Sequence, residues 1–221
     1  MMMQQQMIAR VVEQVVAALA EYKRQEAGNL AIPVGISSRH IHLSAGHLDS
    51  LFGCGHTLTP QKELSQTGQF AAAETVTLVG PKGVIRGVRV LGPVRKATQV
   101  EISRSDGFSL GITPPLRDSG DVQNSSGIVV VGSCGAVTLT EGVICAARHI
   151  HMHTDDARRF GVKDNDRVAV EIRGERGGIY HNVLVRVSPS SRLEFHIDTD
   201  EANAVGLKNK DEVVLVRHKE A

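Results

Sequence analysis

The 221-residue sequence is poor in aromatic side chains and in net charge. It has no tryptophan, two tyrosines and five phenylalanines, and 25 Lys and Arg residues against 24 Asp and Glu residues leave a formal net charge of +1. Nucleic-acid-binding domains typically combine a basic surface with aromatic platforms for base stacking, and this chain has neither. We therefore expect no nucleic-acid partner. The hydrophobic fraction of 41% suffices for the packed core of one or two domains.

Long apolar runs and cysteine motifs are also lacking. The longest apolar stretch near the N-terminus, residues 15–20, is far below the roughly 20 residues that cross a bilayer, so no membrane span is predicted. Cys54, Cys134 and Cys145 form no C-x-x-C motif and no even disulfide set. We expect a reducing, cytoplasmic setting and interpret the three cysteines as buried structural thiols.

Residues 1–27 are predicted to form an amphipathic helix followed by a linker. Apolar residues recur there at the spacing of one helix face, namely Ile8, Val11, Val12, Val15, Val16 and Leu19. Two interpretations remain open at this point. The helix either caps the main fold or is a docking peptide for a partner protein.

From Pro33 onward, short runs of β-branched residues alternate with Gly- and Pro-containing turns. This alternation of short strands and turns favours β-barrels or β-sandwiches. The predicted fold class is mainly β with short helices, in the form of two β-barrel domains related by an internal repeat, plus the N-terminal amphipathic helix.

Two internal repeats support this duplicated architecture. An identical R-H-I-H core occupies residues 39–42 and residues 148–151, and residues 154–168 resemble residues 199–213. Each copy of the second repeat has an acidic start, a short helix ending at glycine, and a polar turn before a strand. The predicted domains are residues 28–125 for the first barrel and 126–221 for the second.

The R-H-I-H repeats predict two metal-binding faces. Residues two apart on a strand point to the same side, so His40 projects with His42, and His149 projects with His151. Imidazole is the usual ligand of zinc and similar metals. A single H-x-H pair could equally be a surface pair or a hydrogen-bonded core pair, but two identical copies favour metal binding.

Each histidine pair needs a further ligand, and a nearby basic run suggests an anionic substrate. Glu101 and His196 lie in strand-like segments and are the candidates for third ligands. Three protein ligands leave one position open, as in catalytic zinc sites. The basic residues between Gly80 and Ala97 form either a solvated face or a binding site for phosphate groups; they are Lys82, Arg86, Arg89, Arg95 and Lys96.

Six segments together resemble the PduL-type phosphate acyltransferases, the phosphotransacylases of bacterial microcompartments. The segments are residues 32–44, 75–83, 90–95, 99–104, 148–152 and 193–203. The resemblance implies an enzyme that interconverts acyl-CoA (propanoyl-CoA or acetyl-CoA) plus phosphate with acyl phosphate plus CoA.

The resemblance also implies a cofactor and residue roles. Two zinc ions per chain would lie between two barrels, one held by His40, His42 and Glu101 and the other by His149, His151 and His196. Arg95 would bind phosphate, with Ser119 as a weaker candidate beside it. Coenzyme A would contact Gly35, Ile36, Ser37, Lys82, Arg89 and Asn203. Phosphate would attack the metal-polarised thioester directly, without a protein nucleophile.

Location and partners follow from the resemblance as expectations. The N-terminal helix would contact shell or core proteins and place the enzyme in the microcompartment lumen, and the chain would form a homodimer. Two rival functions remain at this point. They are a zinc-dependent acyl-CoA thioesterase and a non-catalytic double-barrel binding module with structural zinc.

Overall fold

The structure is a computed structural model that describes residue 10, residues 12–17 and residues 30–216. Residues 12–17 are helical, and most of the remainder of the predicted N-terminal helix lies outside the described residues. Within these ranges, no helix combines the length and apolar character that a membrane crossing requires.

Residues 30–216 are mainly β, with four short helices. The strands are β1 (Ala31–Ser37), β2 (His40–His42), β3 (Pro60–Glu63), β4 (Phe70–Val79), β5 (Val84–Gly92), β6 (Gln99–Glu101), β7 (Leu116–Arg117), β8 (Ser126–Val131), β9 (Ala136–Ala146), β10 (His149–Met152), β11 (Arg167–Ile172), β12 (Gly178–Val187), β13 (Glu194–Asp198) and β14 (Glu212–Val216). The helices are α1 (Ala45–Phe52), α2 (Arg104–Leu110), α3 (Thr154–Phe160) and α4 (Thr199–Val205).

The strands close into two six-stranded barrels, as predicted. The first barrel runs β2-β5-β4-β8-β9-β6 and returns to β2, with β3 and β7 attached at its sides. The second barrel runs β1-β13-β10-β12-β11-β14 and returns to β1. The two pairing patterns are equivalent, with β2 of the first barrel corresponding to β10 of the second.

The barrels depart from the predicted ranges of 28–125 and 126–221 at two places. Strand β1 belongs to the second barrel, whereas β8 and β9 belong to the first. The reason is that the strand before each R-H-I-H segment pairs in parallel with a strand that is distant in the sequence. Strand β1 pairs with β13 of the second barrel, and β9 pairs with β6 of the first barrel. The first barrel therefore spans residues 40–146, and the second combines residues 149–216 with β1.

Each barrel has its own hydrophobic core. The isoleucines of the two R-H-I-H segments, Ile41 and Ile150, are completely buried, one in each core. Burying such a side chain stabilises the fold by about 1.5–3 kcal/mol. Because neighbouring strand residues point to opposite sides, anchoring these isoleucines in the cores turns the flanking histidines outward, toward the space between the barrels.

The predicted helix-turn-strand repeat is present in the second barrel. Helices α3 and α4 end at Gly161 and Gly206, whose φ angles of 69° and 71° lie in the left-handed region that favours glycine. A polar turn then leads into β11 or β14.

The interpretation of all three cysteines as buried is wrong for two of them. Cys145 is buried, but Cys54 and Cys134 are exposed. Burial and the nearby charge of Asp198 raise the pKa of the Cys145 thiol to about 12, so it stays protonated near neutral pH. Cys145 thus fits the structural role that the sequence suggested.

Candidate functional site

The first metal group, His40, His42 and Glu101, is assembled by two antiparallel three-residue strands. His40 on β2 lies directly opposite Glu101 on β6. Each residue offers one ligand atom, and the three atoms lie within 4.8 Å of one another. All three residues are buried.

The second metal group, His149, His151 and His196, repeats this geometry. His149 on β10 lies directly opposite His196 on β13. The three ligand atoms again lie within 4.8 Å of one another. The structure thus brings together both of the three-residue sets named from the sequence.

Hydrogen bonds to backbone carbonyls orient the first histidine of each pair. Nδ1 of His40 donates to the Ser38 carbonyl and Nδ1 of His149 donates to the Ala147 carbonyl, both at 2.9 Å. A proton on Nδ1 leaves Nε2 with a free lone pair, which is the usual arrangement in metal-binding histidines. The Nε2 atoms of His149 and His151 face each other at 3.2 Å. This donor set of imidazoles and a carboxylate suits a borderline divalent metal ion.

In the first group, the ion pair between His40 and Glu101 dominates the electrostatics. Burial by itself raises the pKa of Glu101, but the charge and hydrogen bond of His40 outweigh it and hold that pKa well below its usual range. Burial also opposes the charged form of His40, yet Glu101 raises its pKa overall. Burial, followed by the charge of His40, lowers the pKa of His42 to about 3.

In the second group, burial keeps the imidazoles of His149 and His151 neutral. It lowers the pKa of His149 to about 4, with the charge of His196 as the next cause. Burial and the neighbouring His149 lower the pKa of His151 to about 3. Metal ligands must be deprotonated, so both residues are in the form that binds a cation at neutral pH.

Two polar residues hold the carboxylate of Glu101 in place. Ser119 donates its hydroxyl to Oε1 of Glu101 at 2.8 Å, and Gln99 donates its amide to the same oxygen at 2.5 Å. Oε2 of Glu101 then faces Nε2 of His40 at 3.5 Å. Ser119, expected from the resemblance near phosphate, therefore touches a metal-group residue, and Gln99 was missed in the sequence.

Glu194 occupies the position in the second barrel that Gln99 occupies in the first. Gln99 lies opposite His42 and Glu194 lies opposite His151. The carboxylate of Glu194 contacts Nε2 of His196 and accepts a hydrogen bond from the Ser65 hydroxyl. Burial raises the pKa of Glu194, but these two contacts lower it overall.

Both metal groups open onto one cleft of about 600 Å³ between the barrels, and Arg95 and Arg186 are among the residues that line it. This volume is typical of small-molecule sites. Burial lowers the pKa of Arg95, and the charge of Arg186 lowers it further. Arg186 lies beside His151 in the sheet and donates to the Ser119 carbonyl at 2.7 Å. Arg186 was not singled out from the sequence.

The residues expected to contact coenzyme A fall into two sets. Gly35, Ile36, Ser37 and Arg89 line the cleft, and the guanidinium of Arg89 is hydrogen-bonded to the carbonyls of Ala72 and Ala73. Lys82 lies in the turn between β4 and β5, where its backbone bonds to Leu110, and Asn203 is exposed on α4. Neither of these two lines the cleft, whereas Lys62 and Lys210 do.

Comparisons with known proteins decide the family. A sequence model described as phosphate propanoyltransferase matches residues 33–208. The phosphate propanoyltransferase of Thermotoga maritima is 57% identical over 176 residues, covering 79% of this chain and 82% of that protein. The phosphate propanoyltransferase of Rhodopseudomonas palustris is 49% identical over 223 residues, covering 96% and 97%. That of Salmonella typhimurium is 54% identical over 168 residues, covering 76% and 80%.

The chain belongs to the phosphate propanoyltransferase family. The resemblance stated from the sequence is confirmed, and so is the prediction that the protein is an acyltransferase enzyme. The part that matches the phosphate propanoyltransferase family contains both metal groups and Arg95, whereas residues 1–27 precede it.

In this phosphate propanoyltransferase family member, a third histidine follows the second R-H-I-H segment. His153 lies outside the second metal group and forms the N-cap of α3, where its Nδ1 accepts a hydrogen bond from the backbone of Asp155 at 3.2 Å. An N-cap supplies an acceptor for an otherwise unpaired helical N–H. His153 therefore has a local structural role.

Proposed function

We propose that the protein transfers a propanoyl or acetyl group between coenzyme A and inorganic phosphate, with two zinc ions bound by the two metal groups. The observation that carries this proposal is the meeting of both metal groups with Arg95 and Arg186 in one cleft. Family membership supports the same reaction.

The two arginines suit a phosphate substrate. Arg95 and Arg186 come from different barrels, and a guanidinium offers paired N–H donors that match phosphate oxygens. A thioesterase, which uses water as the nucleophile, has no need for such a pair. We therefore assign Arg95 and Arg186 to phosphate binding, and favour the transferase over the hydrolase considered from the sequence.

The residues that line the cleft favour direct attack by phosphate. No cysteine is among the described residues that line it, so the protein offers no thiol nucleophile there. The two arginines would hold the phosphate against the thioester carbon. A phosphate oxygen forms the new C–O bond as the C–S bond breaks, and the proton of the phosphate ends on the released CoA thiolate. Zinc bound by the two groups would supply Lewis acidity toward the thioester carbonyl and the departing sulfur.

The cleft rim suits coenzyme A. Lys62, Arg89 and Lys210 place positive charge at the cleft beside the backbone of Gly35, Ile36 and Ser37. We propose that this side receives coenzyme A and its phosphates, with Lys62 in the role first expected of Lys82. For Lys82 and Asn203, contact with coenzyme A stays a prediction from the resemblance.

The N-terminal segment is proposed to dock onto microcompartment shell or core proteins and so place the enzyme in the lumen. In the described part of this segment, Val12, Val15 and Val16 are all more than half exposed, which fits docking better than capping of the barrels. A homodimer is also proposed, and Phe108, 83% exposed on α2, is a fitting contact residue. Removal of residues 1–27 should leave turnover intact and abolish co-assembly with shell proteins.

The deciding experiment measures CoA release from acetyl-CoA and propanoyl-CoA with and without phosphate, in a preparation of known zinc content. We expect strict phosphate dependence, an acyl phosphate product trapped as the hydroxamate, and about two zinc ions per chain. Phosphate-independent release would establish the thioesterase. No release from fully metallated protein would favour the binding module with structural zinc.

A further inference from the structure

The arginine of each R-H-I-H segment takes part in neither metal group, yet it is repeated with the histidines. Arg39 and Arg148 stand immediately before β2 and β10. Each forms an ion pair with an acid on a helix. Arg39 binds Asp106 through two contacts of 2.9 and 3.0 Å, and Arg148 binds Glu201 at 3.2 Å.

The two acids occupy equivalent positions in the two barrels. Asp106 is the third residue of α2, which follows the strand carrying Glu101, and Glu201 is the third residue of α4, which follows the strand carrying His196. Each acid lies five residues beyond the third member of its metal group. Both ion pairs therefore connect the strand with the two histidines to the segment with the third ligand.

The acids themselves are held firmly. The backbone N–H of Asp106 donates to the Ser103 side chain, and that of Glu201 donates to the Asp198 side chain. Asp106 is buried, and the backbone carbonyl of Glu201 accepts a hydrogen bond from the Tyr180 hydroxyl at 2.6 Å. The arginines thus bind to fixed points rather than to mobile surface carboxylates.

Short strands need such a connection. The β2–β6 contact that assembles the first metal group consists of three residue pairs, and the β10–β13 contact of the second group also consists of three. So few ladder hydrogen bonds constrain the angle between two strands weakly. A charge-assisted contact at the end of each strand pair limits the splaying that would separate the ligands.

We propose that Arg39 and Arg148 are positioning residues for metal binding, each serving the metal group of its own barrel. This inference rests on the metal sites of the proposed function. Arg39 forms the stronger ion pair, because its contact with Asp106 is bidentate. Arg148 makes a single contact and stacks over the Tyr180 ring, with its guanidinium carbon 4.3 Å from the ring centroid.

The test measures metal affinity group by group in Arg39→Gln and Arg148→Gln. Zn²⁺ affinity is obtained by chelator competition, and the visible spectrum of Co²⁺ separates the His₂Glu group from the His₃ group. We expect each substitution to weaken its own group about tenfold and to leave the other unchanged. Arg159→Gln, which removes a surface ion pair with Asp156 on α3, is the matched control and should change neither.

Two further variants tie the effect to the ion pair. Asp106→Asn should weaken the first group as much as Arg39→Gln does, and the double variant should be no worse than either single one. Arg39→Lys should recover part of the affinity because it keeps the charge. If Arg39→Gln does not fold, Asp106→Asn and Arg39→Lys carry the same comparison.

The outcomes separate this inference from the proposed function. Wild-type metal affinity in every arginine variant, or an equal loss at both groups, would overturn the positioning role alone. A wild-type protein that binds neither Zn²⁺ nor Co²⁺ would overturn the metal-dependent function together with it.

Discussion

In the first barrel a carboxylate, Glu101, completes the pair of histidines, whereas in the second barrel an imidazole, His196, occupies the equivalent register position. Two residues earlier the difference is reversed, with the neutral Gln99 in the first barrel and the acidic Glu194 in the second. Each barrel therefore has one carboxylate at its metal group, but in a different place.

This exchange gives the two groups different chemistry. A carboxylate ligand would lower the net positive charge of a divalent cation bound by the first group. This position therefore suits a substrate group that carries little negative charge. Three imidazoles would add no negative charge as ligands, and the nearest carboxylate, Glu194, contacts His196 instead of belonging to the group, so a cation bound there would keep more positive charge for a phosphate anion. Arg186, beside His151, adds positive charge on the same side. In the proposed metal-bound enzyme, the two metal positions would therefore differ in the charge of their ligands.

The largest expected effects come from substituting the ligands that differ. Glu101→Gln and His196→Gln should each lower phosphate-dependent CoA release by more than about a hundredfold, because substituting a residue that only hydrogen-bonds to a metal ligand already costs about 10- to 100-fold. Each variant should also lose about one metal ion per chain. Metal analysis and turnover are measured together, with the exposed Glu175→Gln as control. Full metal content in both variants would show that Glu101 and His196 are not metal ligands and would contradict the comparison.

The arginines should separate phosphate binding from thioester binding. Arg95→Gln and Arg186→Gln should each raise the KM for phosphate by about 10- to 100-fold, since a hydrogen bond to a charged group is worth about 1.5–3 kcal/mol. The KM for acyl-CoA should change much less. The exposed Arg173→Gln is the control. An unchanged KM for phosphate in the Arg95 and Arg186 variants would show that these arginines do not bind phosphate.

Ser119→Ala should have a smaller effect, confined to the first metal group. Glu101 keeps the donor from Gln99 but loses the Ser119 hydroxyl, so metal affinity at the first group should fall about tenfold while the second group is unaffected. Chelator competition measures both. Ser109→Ala, which removes a hydroxyl bonded only within α2, should leave both affinities as they are.

The smallest effect concerns the stability of the metal-free protein in acid. The unfolded chain binds protons at its histidines as the pH falls below about 6.5, whereas His149, with a pKa of about 4, does not in the folded state. Stability therefore rises with pH across this window and is lost as the pH falls toward 4. His149→Gln should therefore reduce the fall in Tm between pH 7 and pH 4. The reduction is about 2–4 °C for each kcal/mol of acid destabilisation that the substitution abolishes.

The same measurement compares the groups. In the first group the raised pKa of His40 acts against the lowered pKa of His42, so His40→Gln should not flatten the acid loss as His149→Gln does. Thermal melts of metal-free samples between pH 4 and 7 provide the test, with the exposed His181→Gln as control. Identical curves for the His40 and His149 variants would contradict the electrostatic difference.

The histidine pairs that the structure brings together were predictable because strand alternation and repetition are properties of the sequence itself. His40, His42, His149 and His151 follow from the two R-H-I-H copies. Gln99 and Glu194 carried the same signal, because they lie two residues before Glu101 and His196 and so face the same side. The same two-residue spacing in the sequence therefore indicates both residues as neighbours of the metal groups.

Arg186 and the domain limits could not be found in this way. Arg186 reaches Ser119 across 67 residues, and only the parallel pairing of β10 with β12 puts it beside His151. Lys82 belonged to a basic run but stands on an exposed turn away from the cleft. The membership of β1 in the second barrel depends on long-range pairing that no local pattern encodes.

The position of β1 also orders the assembly of the protein during synthesis. Residues 40–146 contain every strand of the first barrel, whereas β1, made before them, pairs with β13 and β14, which are made after them. Until those two strands are made, the edge of β1 is open to mispairing. The second barrel, and with it the complete cleft, can therefore close only after every strand of the first barrel has been made.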